Sequence, residues 1–256
     1  MHAAIASFLS RIGLSVLCIG IALPCALRAD EIHVAVASNF RLAMDEAAAR
    51  FERDTGHRAV LISGSTGKHY AQIVNGAPFD AFFAADAEHP QRLEREGRAI
   101  PGSRITYAIG QVVLWSADEA LVDAAGRVLA SDRFRHLAIA NPDLAPYGAA
   151  ARAVLQSLGL WEGVETKLVR GENIGQAFQF VVSGNAELGF VARSQLAAPG
   201  RAFEGSSWTP PQALYPAIEQ QAVLLRDSSA GRAFMAFMQS DEVAGILRAY
   251  GYDSPQ

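Results

Sequence analysis

Cysteine is almost missing from this chain of 256 residues, and its placement decides what can be excluded. Cys18 and Cys25 are the two cysteines, and both lie within residues 1–29. There, Arg11 precedes an apolar stretch over residues 12–23, which is typical of a secretion signal. We therefore predict that residues 1–29 are removed. The mature chain would then have no thiol for a disulfide, a cysteine-ligated metal or a cysteine nucleophile.

A second long apolar run is also missing. The stretch within residues 1–29 is short for a membrane-spanning helix and is followed by Pro24, so an N-terminal membrane anchor is the weaker alternative to a cleaved signal. No later segment is apolar enough to cross a bilayer. We therefore expect no membrane insertion after cleavage of the signal.

An excess of positive charge is absent as well. Residues 30–256 contain 20 basic and 26 acidic side chains, a net charge of −6 with histidine neutral. A net-negative protein is a poor partner for nucleic acid or for an anionic membrane surface, so we expect neither. If the chain binds an anion, local groups must hold it, because the field of the whole protein opposes it.

The motifs of two common enzyme classes are incomplete. The segment Gly64–Lys68 (Gly-Ser-Thr-Gly-Lys) resembles the end of a phosphate-binding P-loop, but Ile62 stands where the motif needs a glycine. His69 stands where it needs a serine or threonine. No serine has the Gly-x-Ser-x-Gly surroundings of a hydrolase. A hydrolase whose serine, histidine and acid meet only in space stays open as an alternative.

Asp86, Glu88 and His89 are close enough in sequence to suggest a metal site. They also suit the first turn of a helix, where acidic residues complement the helix dipole. No second cluster of histidine or acidic residues completes a coordination shell. We therefore expect no cation site.

Strand-like and helix-like segments alternate along the rest of the chain. Residues 32–37, 58–62 and 79–84 read as apolar strands, and helical periodicity follows each of them. Strands that alternate with helices predict right-handed crossovers and a mainly parallel sheet.

The chain changes character near Gly110, where a strand is interrupted and the alternation starts again. The Gly/Ser/Pro-rich stretch Pro199–Pro211 reads as a loop, followed by an extended segment and a helical tail. We predict an α/β fold of two lobes, each a mainly parallel sheet flanked by helices, with a ligand cleft between them. The predicted boundaries are residues 1–29 for the signal, 30–109 with 212–256 for lobe 1, and 110–211 for lobe 2.

Polar residues follow the first two predicted strands. Ser38 and Asn39 come after the first strand, and Ser65 and Thr66 come after the second. A helix start has backbone N–H groups without intrahelical partners and the positive end of the dipole, and these side chains add neutral donors. Each pair could simply cap its helix. Because the arrangement repeats at the carboxyl ends of neighbouring strands, it predicts a pocket for a small oxyanion.

Two places in the second segment are analogous. Tyr147 lies between a proline and a glycine at the mouth of a helix, so its hydroxyl and its backbone N–H could both reach the cleft. A loop tyrosine that packs on the surface is an equal alternative. Ile174 begins a helix with clear periodicity and could contribute only its backbone N–H. If the lobes face each other, these turns and the two turns of lobe 1 converge.

Six short segments occur in a specific order along the chain. They are Val36–Phe40, Gly64–Lys68, Asn75–Asp80, Ala84–Glu88, Ile139–Pro142 and Tyr250–Tyr252. In this order they resemble the periplasmic molybdate-binding proteins of ABC transporters, over essentially the whole mature chain.

The resemblance implies a binding protein, not an enzyme, that captures molybdate or tungstate and delivers it to a membrane permease. It implies a periplasmic location, a monomer and no cofactor other than the anion. The implied ligand residues are Ser38, Asn39, Ser65, Thr66 and the backbone at Tyr147 and Ile174. A protein for sulfate or phosphate is the nearest alternative, and a secreted hydrolase is a more distant one.

One position departs from the pattern of the family. Some members use a tyrosine hydroxyl in the second lobe, where this chain has Ala192. Tyr147 stands where those members have a small residue. We therefore expect that the phenol of Tyr147 has taken over the missing contact.

Overall fold

The computed structural model describes residues 29–200 and 203–254, which form two five-stranded sheets flanked by helices. Residues 1–28 of the predicted signal lie outside the described residues. The strands are β1 (Glu31–Ala37), β2 (Arg58–Gly64), β3 (Ala81–Phe83), β4 (Ile105–Gly110), β5 (Val112–Ser116), β6 (Leu137–Ala140), β7 (Leu168–Gly171), β8 (Leu188–Ala192), β9 (Ser206–Trp208) and β10 (Ile218–Leu224). The helices are α1 (Arg41–Thr55), α2 (Thr66–Val74), α3 (Glu88–Arg95), α4 (Pro146–Ser157), α5 (Trp161–Val164), α6 (Ile174–Val182), α7 (Arg193–Leu196), α8 (Ser229–Phe237) and α9 (Asp241–Ala249).

The first sheet has the strand order β2-β1-β3-β10-β4. β1 pairs in parallel with β2 and β3, whereas β10 pairs antiparallel with β3 and β4, so four strands run in one direction and one runs against them. Val34, Ala35 and Val36 of β1 are fully buried, as expected for a central strand covered on both faces. We call this sheet and its helices the first lobe.

The second sheet, with its helices the second lobe, has the order β7-β6-β8-β5-β9. β6 pairs in parallel with β7 and β8, and β5 runs antiparallel to β8 and β9. Four strands again share one direction. The two-lobed α/β fold predicted from the sequence is therefore confirmed.

One strand departs from the sequence prediction. Pro199–Pro211 was expected to be a loop, but Ser206–Trp208 forms β9 at the edge of the second sheet, paired with β5. This expectation was wrong because three residues are too few to show a hydrophobic period, and their hydrogen bonds to β5 fix them in an extended conformation.

Helices cover both faces of the first sheet. On one face, Phe51 of α1 packs against Phe234 of α8 with ring centroids 5.0 Å apart. On the other face, Ile73 of α2 and Leu93 of α3 form a separate cluster. The helical tail of the sequence prediction is two helices, because the hydroxyl of Ser240 accepts the backbone N–H of Val243 and starts α9.

The chain crosses between the lobes twice. It leaves the first sheet after β4 and enters β5 after the single residue Gln111, and it returns between β9 and β10. The strands of the first sheet thus come from residues 31–110 and 218–224, and those of the second from residues 112–208. The domain limits given from the sequence stay a prediction.

Candidate functional site

Two helix starts of the first lobe lie side by side. β1 ends at Ala37 and β2 ends at Gly64, and these two residues are paired in the parallel register. A 3-10 turn over Ser38–Phe40 follows β1, and α2 follows β2 at Thr66. The parallel pairing therefore brings the two polar turns of the sequence analysis to one edge of the sheet, as predicted.

Ser65 and Thr66 present their hydroxyls differently from ordinary helix caps. Ser65 occupies the N-cap position of α2, but its side chain makes no capping hydrogen bond. Its hydroxyl is buried and has no hydrogen-bond partner among the described residues. The hydroxyl oxygen of Thr66 accepts the backbone N–H of Ala85 at 3.0 Å, which leaves its own proton free to donate. The capping alternative is therefore wrong for both hydroxyls.

Ser38 and Asn39 are bonded within the protein. The Ser38 hydroxyl accepts the backbone N–H of Gly175 from the second lobe at 3.3 Å. The amide nitrogen of Asn39 donates to Gln220 Oε1 at 2.7 Å and to the Tyr252 hydroxyl at 3.1 Å. Both protons of the Asn39 side chain thus have acceptors inside the protein. Its backbone N–H, in the first turn, has no intrahelical acceptor.

Tyr147 and Ile174 bring the second lobe to the same place. Tyr147 lies in the first turn of α4, and Ile174 is the first residue of α6. Both are almost fully buried, with 2% and 3% of their surface exposed. Backbone N–H groups in a first helical turn lack intrahelical acceptors, so both helices direct free donors into the space between the lobes.

The Tyr147 hydroxyl belongs to a buried polar network behind this space. Gln220 Nε2 donates to it at 3.4 Å. Burial raises the pKa of the Tyr147 hydroxyl well above its usual range, so the phenol stays protonated. We call the five buried residues that meet here the Gln220 network: Asn39, Tyr107, Tyr147, Gln220 and Tyr252.

All six residues predicted as ligands line one small cavity between the lobes, which we call the cleft cavity. None of its twelve lining residues carries a charged side chain. The other six are Ala37, Gly64, Ala85, Ala145, Pro146 and Asn173. The lining therefore offers uncharged hydrogen-bond donors to a compact ligand.

Further contacts join the lobes around the cleft cavity. The backbone N–H of Gly67 donates to Leu144 O at 2.9 Å. A Cβ on Gly67 would lie 3.1 Å from that oxygen, so there is little room for a side chain at this position. Lys68 forms an exposed ion pair with Glu172 at 3.0 Å. The Lys68 ammonium is thus paired outside the cavity lining.

The acidic residues near the cavity also have partners outside the cavity lining. Asp86 accepts from the imidazole of His89 at 2.7 Å. Burial lowers the pKa of His89, but the hydrogen bond and the negative charge of Asp86 outweigh this effect, so the pKa of His89 is raised. Within residues 29–200 and 203–254, no group of three or more histidine, cysteine or acidic residues has the geometry of a metal site.

One cavity residue and one supporting residue escaped the sequence prediction. Ala85 lines the cavity, and Gln220 makes hydrogen bonds to two of the predicted residues without lining it. Ala85 had no signal, since an alanine at the end of an apolar strand is typical of core packing. Gln220 had one, since an uncharged polar residue inside an apolar strand needs a buried partner.

Comparison with known proteins assigns the family. A family model described as bacterial extracellular solute-binding protein matches residues 32–253. The chain belongs to this solute-binding family. Its relatives include the molybdate-binding protein ModA of Azotobacter vinelandii, 50% identical over 90% of this chain and 92% of the relative. The ModA of Rhodobacter capsulatus is 48% identical over 92% of both chains.

A solved structure agrees with this membership of the solute-binding family. The periplasmic molybdate-binding protein of Azotobacter vinelandii superposes with a TM-score of 0.85 and 44% identity, over 88% of this chain and all of that chain. Solute-binding proteins bind rather than transform their ligands, so the relatives of this chain are not enzymes. Among the described residues, no helix is long and apolar enough to cross a membrane.

Proposed function

We propose that this chain is a periplasmic solute-binding protein that captures molybdate or tungstate for an ABC importer. One observation carries the proposal: four helix starts, two from each lobe, meet at a cavity lined by neutral donors and by no charged side chain among the described residues. The 50% identity to a molybdate-binding protein supports the choice of anion.

We assign the ligand contacts of the first lobe to two hydroxyls and two backbone groups. The Ser65 hydroxyl is buried and unpartnered within the described chain, so it gains a hydrogen bond when an oxyanion arrives. The Thr66 hydroxyl accepts from Ala85 and donates to the anion. Asn39 contributes its backbone N–H group, because its side-chain protons already have acceptors. Ser38 contributes its backbone N–H group from the same 3-10 turn.

We assign the contacts of the second lobe to the backbone N–H groups of Tyr147 and Ile174, together with the Tyr147 phenol. Gln220 donates to the phenol oxygen, so that oxygen is already an acceptor and its proton is free to donate. This supports the idea that Tyr147 replaces the hydroxyl missing at Ala192. Tyr147→Phe would then weaken molybdate binding, and an unchanged dissociation constant would refute this contact alone.

Neutral donors suit an anion that must later be released. A buried salt bridge would add a desolvation cost, whereas several fixed hydrogen bonds give affinity with geometric selectivity. The donors also select among oxyanions, since a protonated phosphate needs an acceptor for its O–H group. Asp86 is bonded to His89 and Glu172 to Lys68, so neither carboxylate lines the cavity.

A ligand series tests the proposal. We expect molybdate and tungstate, each at a hundred times its dissociation constant, to stabilise the folded state by about 2.7 kcal/mol. Sulfate and phosphate at the same concentrations are the controls and should have far smaller effects. Titration calorimetry then gives the two dissociation constants. Stabilisation by sulfate or phosphate alone would reassign the anion, and no effect of any oxyanion would refute the function.

The remaining features of the proposal follow from the role of a solute-binding protein. We propose a monomer without a cofactor that meets a membrane permease after its signal is removed, with no contact to nucleic acid. Sedimentation with and without molybdate tests the monomer. Mass determination of the exported protein tests cleavage near residue 29.

A further inference from the structure

Gln220 is a buried side chain that touches residues of both lobes. It lies on β10, the strand by which the chain re-enters the first sheet, and none of its surface is exposed (0%). The register between β10 and β4 shifts between Gln220 and Gln221. This irregularity gives the two neighbouring glutamines different surroundings.

The oxygen and the nitrogen of the Gln220 side-chain amide make hydrogen bonds to different lobes. Its oxygen accepts from the Asn39 amide at 2.7 Å and from the Tyr107 hydroxyl at 3.1 Å, both in the first lobe. Its nitrogen donates to the Tyr147 hydroxyl of the second lobe at 3.4 Å. One side chain therefore connects a cavity residue of each lobe, although Gln220 itself does not line the cavity.

The network leaves little room for rearrangement. Asn39 and Tyr147 have 4% and 2% of their surface exposed, so water cannot readily replace a lost partner. Gly110 packs directly against the network, because a Cβ there would overlap the Tyr147 hydroxyl. The orientation of the Asn39 amide and of the Tyr147 phenol therefore depends on Gln220.

We propose that Gln220 is a positioning residue that couples the anion contacts of the two lobes. This inference rests on the proposed function. Gln220 holds Asn39 at the start of the 3-10 turn and fixes the Tyr147 oxygen as an acceptor, so that the phenol proton points to the ligand. Without Gln220, each lobe keeps its own donors but loses the mutual alignment that binding requires.

The chain provides a matched control on the same strand. Gln221 is also buried, at 4% exposed, but its amide bonds to Thr106, Glu219 and Arg104, all in the first lobe. Replacing either glutamine by methionine removes a buried amide of similar size from β10. Only Gln220→Met breaks a contact between the lobes.

The test measures molybdate affinity by calorimetry and unliganded stability by thermal unfolding. We expect both variants to lose stability, but Gln220→Met to weaken molybdate about tenfold and Gln221→Met less than twofold. In a Tyr147→Phe background, Gln220→Met should weaken affinity less than threefold further, because the contact of Gln220 with the second lobe is already gone. Equal affinities of the two variants, or additive losses in the double variant, would overturn the positioning role.

A second measurement needs no variant of Gln220. In the wild-type protein, we expect the assigned side-chain amide resonances of Gln220 to shift on addition of molybdate while those of Gln221 stay in place. Unmoved Gln220 resonances in a protein that binds molybdate would refute the inference. Wild-type protein that binds neither molybdate nor tungstate would instead refute the proposed function.

Discussion

The helices α2 and α6 both begin at the cleft cavity with a polar residue at the N-cap position, and they use it in opposite ways. The Asn173 side chain accepts the backbone N–H of Gln176 at 3.1 Å and caps α6. Ser65 leaves α2 without a side-chain cap and keeps its hydroxyl buried and unpartnered within the described chain. The start of α2 in the first lobe thus keeps a side-chain donor without a hydrogen bond. The start of α6 in the second lobe is stabilised by its cap and offers backbone N–H groups.

The helices away from the cavity show that this difference does not come from the residue type. Ser228 and Ser240 cap α8 and α9, because their hydroxyls accept the backbone N–H groups of Gly231 and Val243. A serine therefore caps a helix readily in this fold. At the start of α2, Ser65 makes no such capping hydrogen bond, which is expected where a ligand is to supply the missing partner.

The largest effect is expected from placing a charge at the uncapped start of α2. Ser65→Asp would place a carboxylate in a neutral, buried cavity, where it repels a dianion. We expect molybdate affinity to fall at least a hundredfold, or about 2.7 kcal/mol, by calorimetry. Ser63→Asp is the control, since Ser63 is exposed on β2, the strand that ends just before Ser65, and the substitution adds the same net charge. Equal losses in both variants would mean that net charge, not the cavity, governs binding.

The next effect concerns the neighbouring hydroxyl. Thr66→Ala removes a proposed anion donor and the acceptor of the Ala85 N–H. We expect a loss of roughly 1–3 kcal/mol in molybdate affinity and of about 1 kcal/mol in the unliganded free energy of unfolding. Thr66→Ser keeps the hydroxyl and should stay close to wild type. If Thr66→Ala binds as tightly as wild type, the hydroxyl does not contact the ligand.

A smaller effect is expected from removing the cap of α6. Asn173→Ala should lower the free energy of unfolding by about 1 kcal/mol, measured by urea denaturation. Because α6 starts at the cavity, we also expect weaker molybdate binding. Ser240→Ala removes the cap of α9, which has no residue in the cavity lining, and should cost similar stability at unchanged affinity. Identical affinities in both variants would contradict a role of the α6 start in binding.

The smallest effect concerns the ion pair outside the cavity. The side chains of Lys68 and Glu172 are 49% and 36% exposed, so water and salt screen their attraction. A double-mutant cycle with Lys68→Met and Glu172→Gln should give a coupling of about 0.2–1 kcal/mol in molybdate affinity, vanishing at high salt. A coupling above this range would mean that the pair, not the neutral donors, holds the lobes together around the ligand.

Much of this arrangement could be predicted from the sequence, because it depends on local patterns. The apolar run of β1, the start of α6 at Ile174 and the repeated polar turns are each visible within a few residues. Parallel pairing then brings the turns together, since Ala37 and Gly64 end adjacent strands. The resemblance to the family added the identity of the anion.

The rest depends on contacts between distant segments, which no local pattern encodes. Asn39 meets Tyr252, 213 residues away, and Gln220 meets Tyr147, 73 residues away. The sequence therefore indicated Asn39 as a polar ligand residue, but could not show that its amide protons are used inside the protein. For the same reason, Tyr147 could be foreseen at the cleft without its partner Gln220.

The absence of charge from the described lining of the cleft cavity has a kinetic consequence. Residues 30–256 carry a net charge of −6, and no cation in the lining offsets that field locally. Long-range forces therefore oppose the approach of a dianion, while the attraction of the helix starts acts only within about one helical turn. Added inert salt screens the repulsion more than the short-range attraction. We expect the association rate for molybdate to rise with ionic strength, opposite to a protein that captures its anion with lysine or arginine.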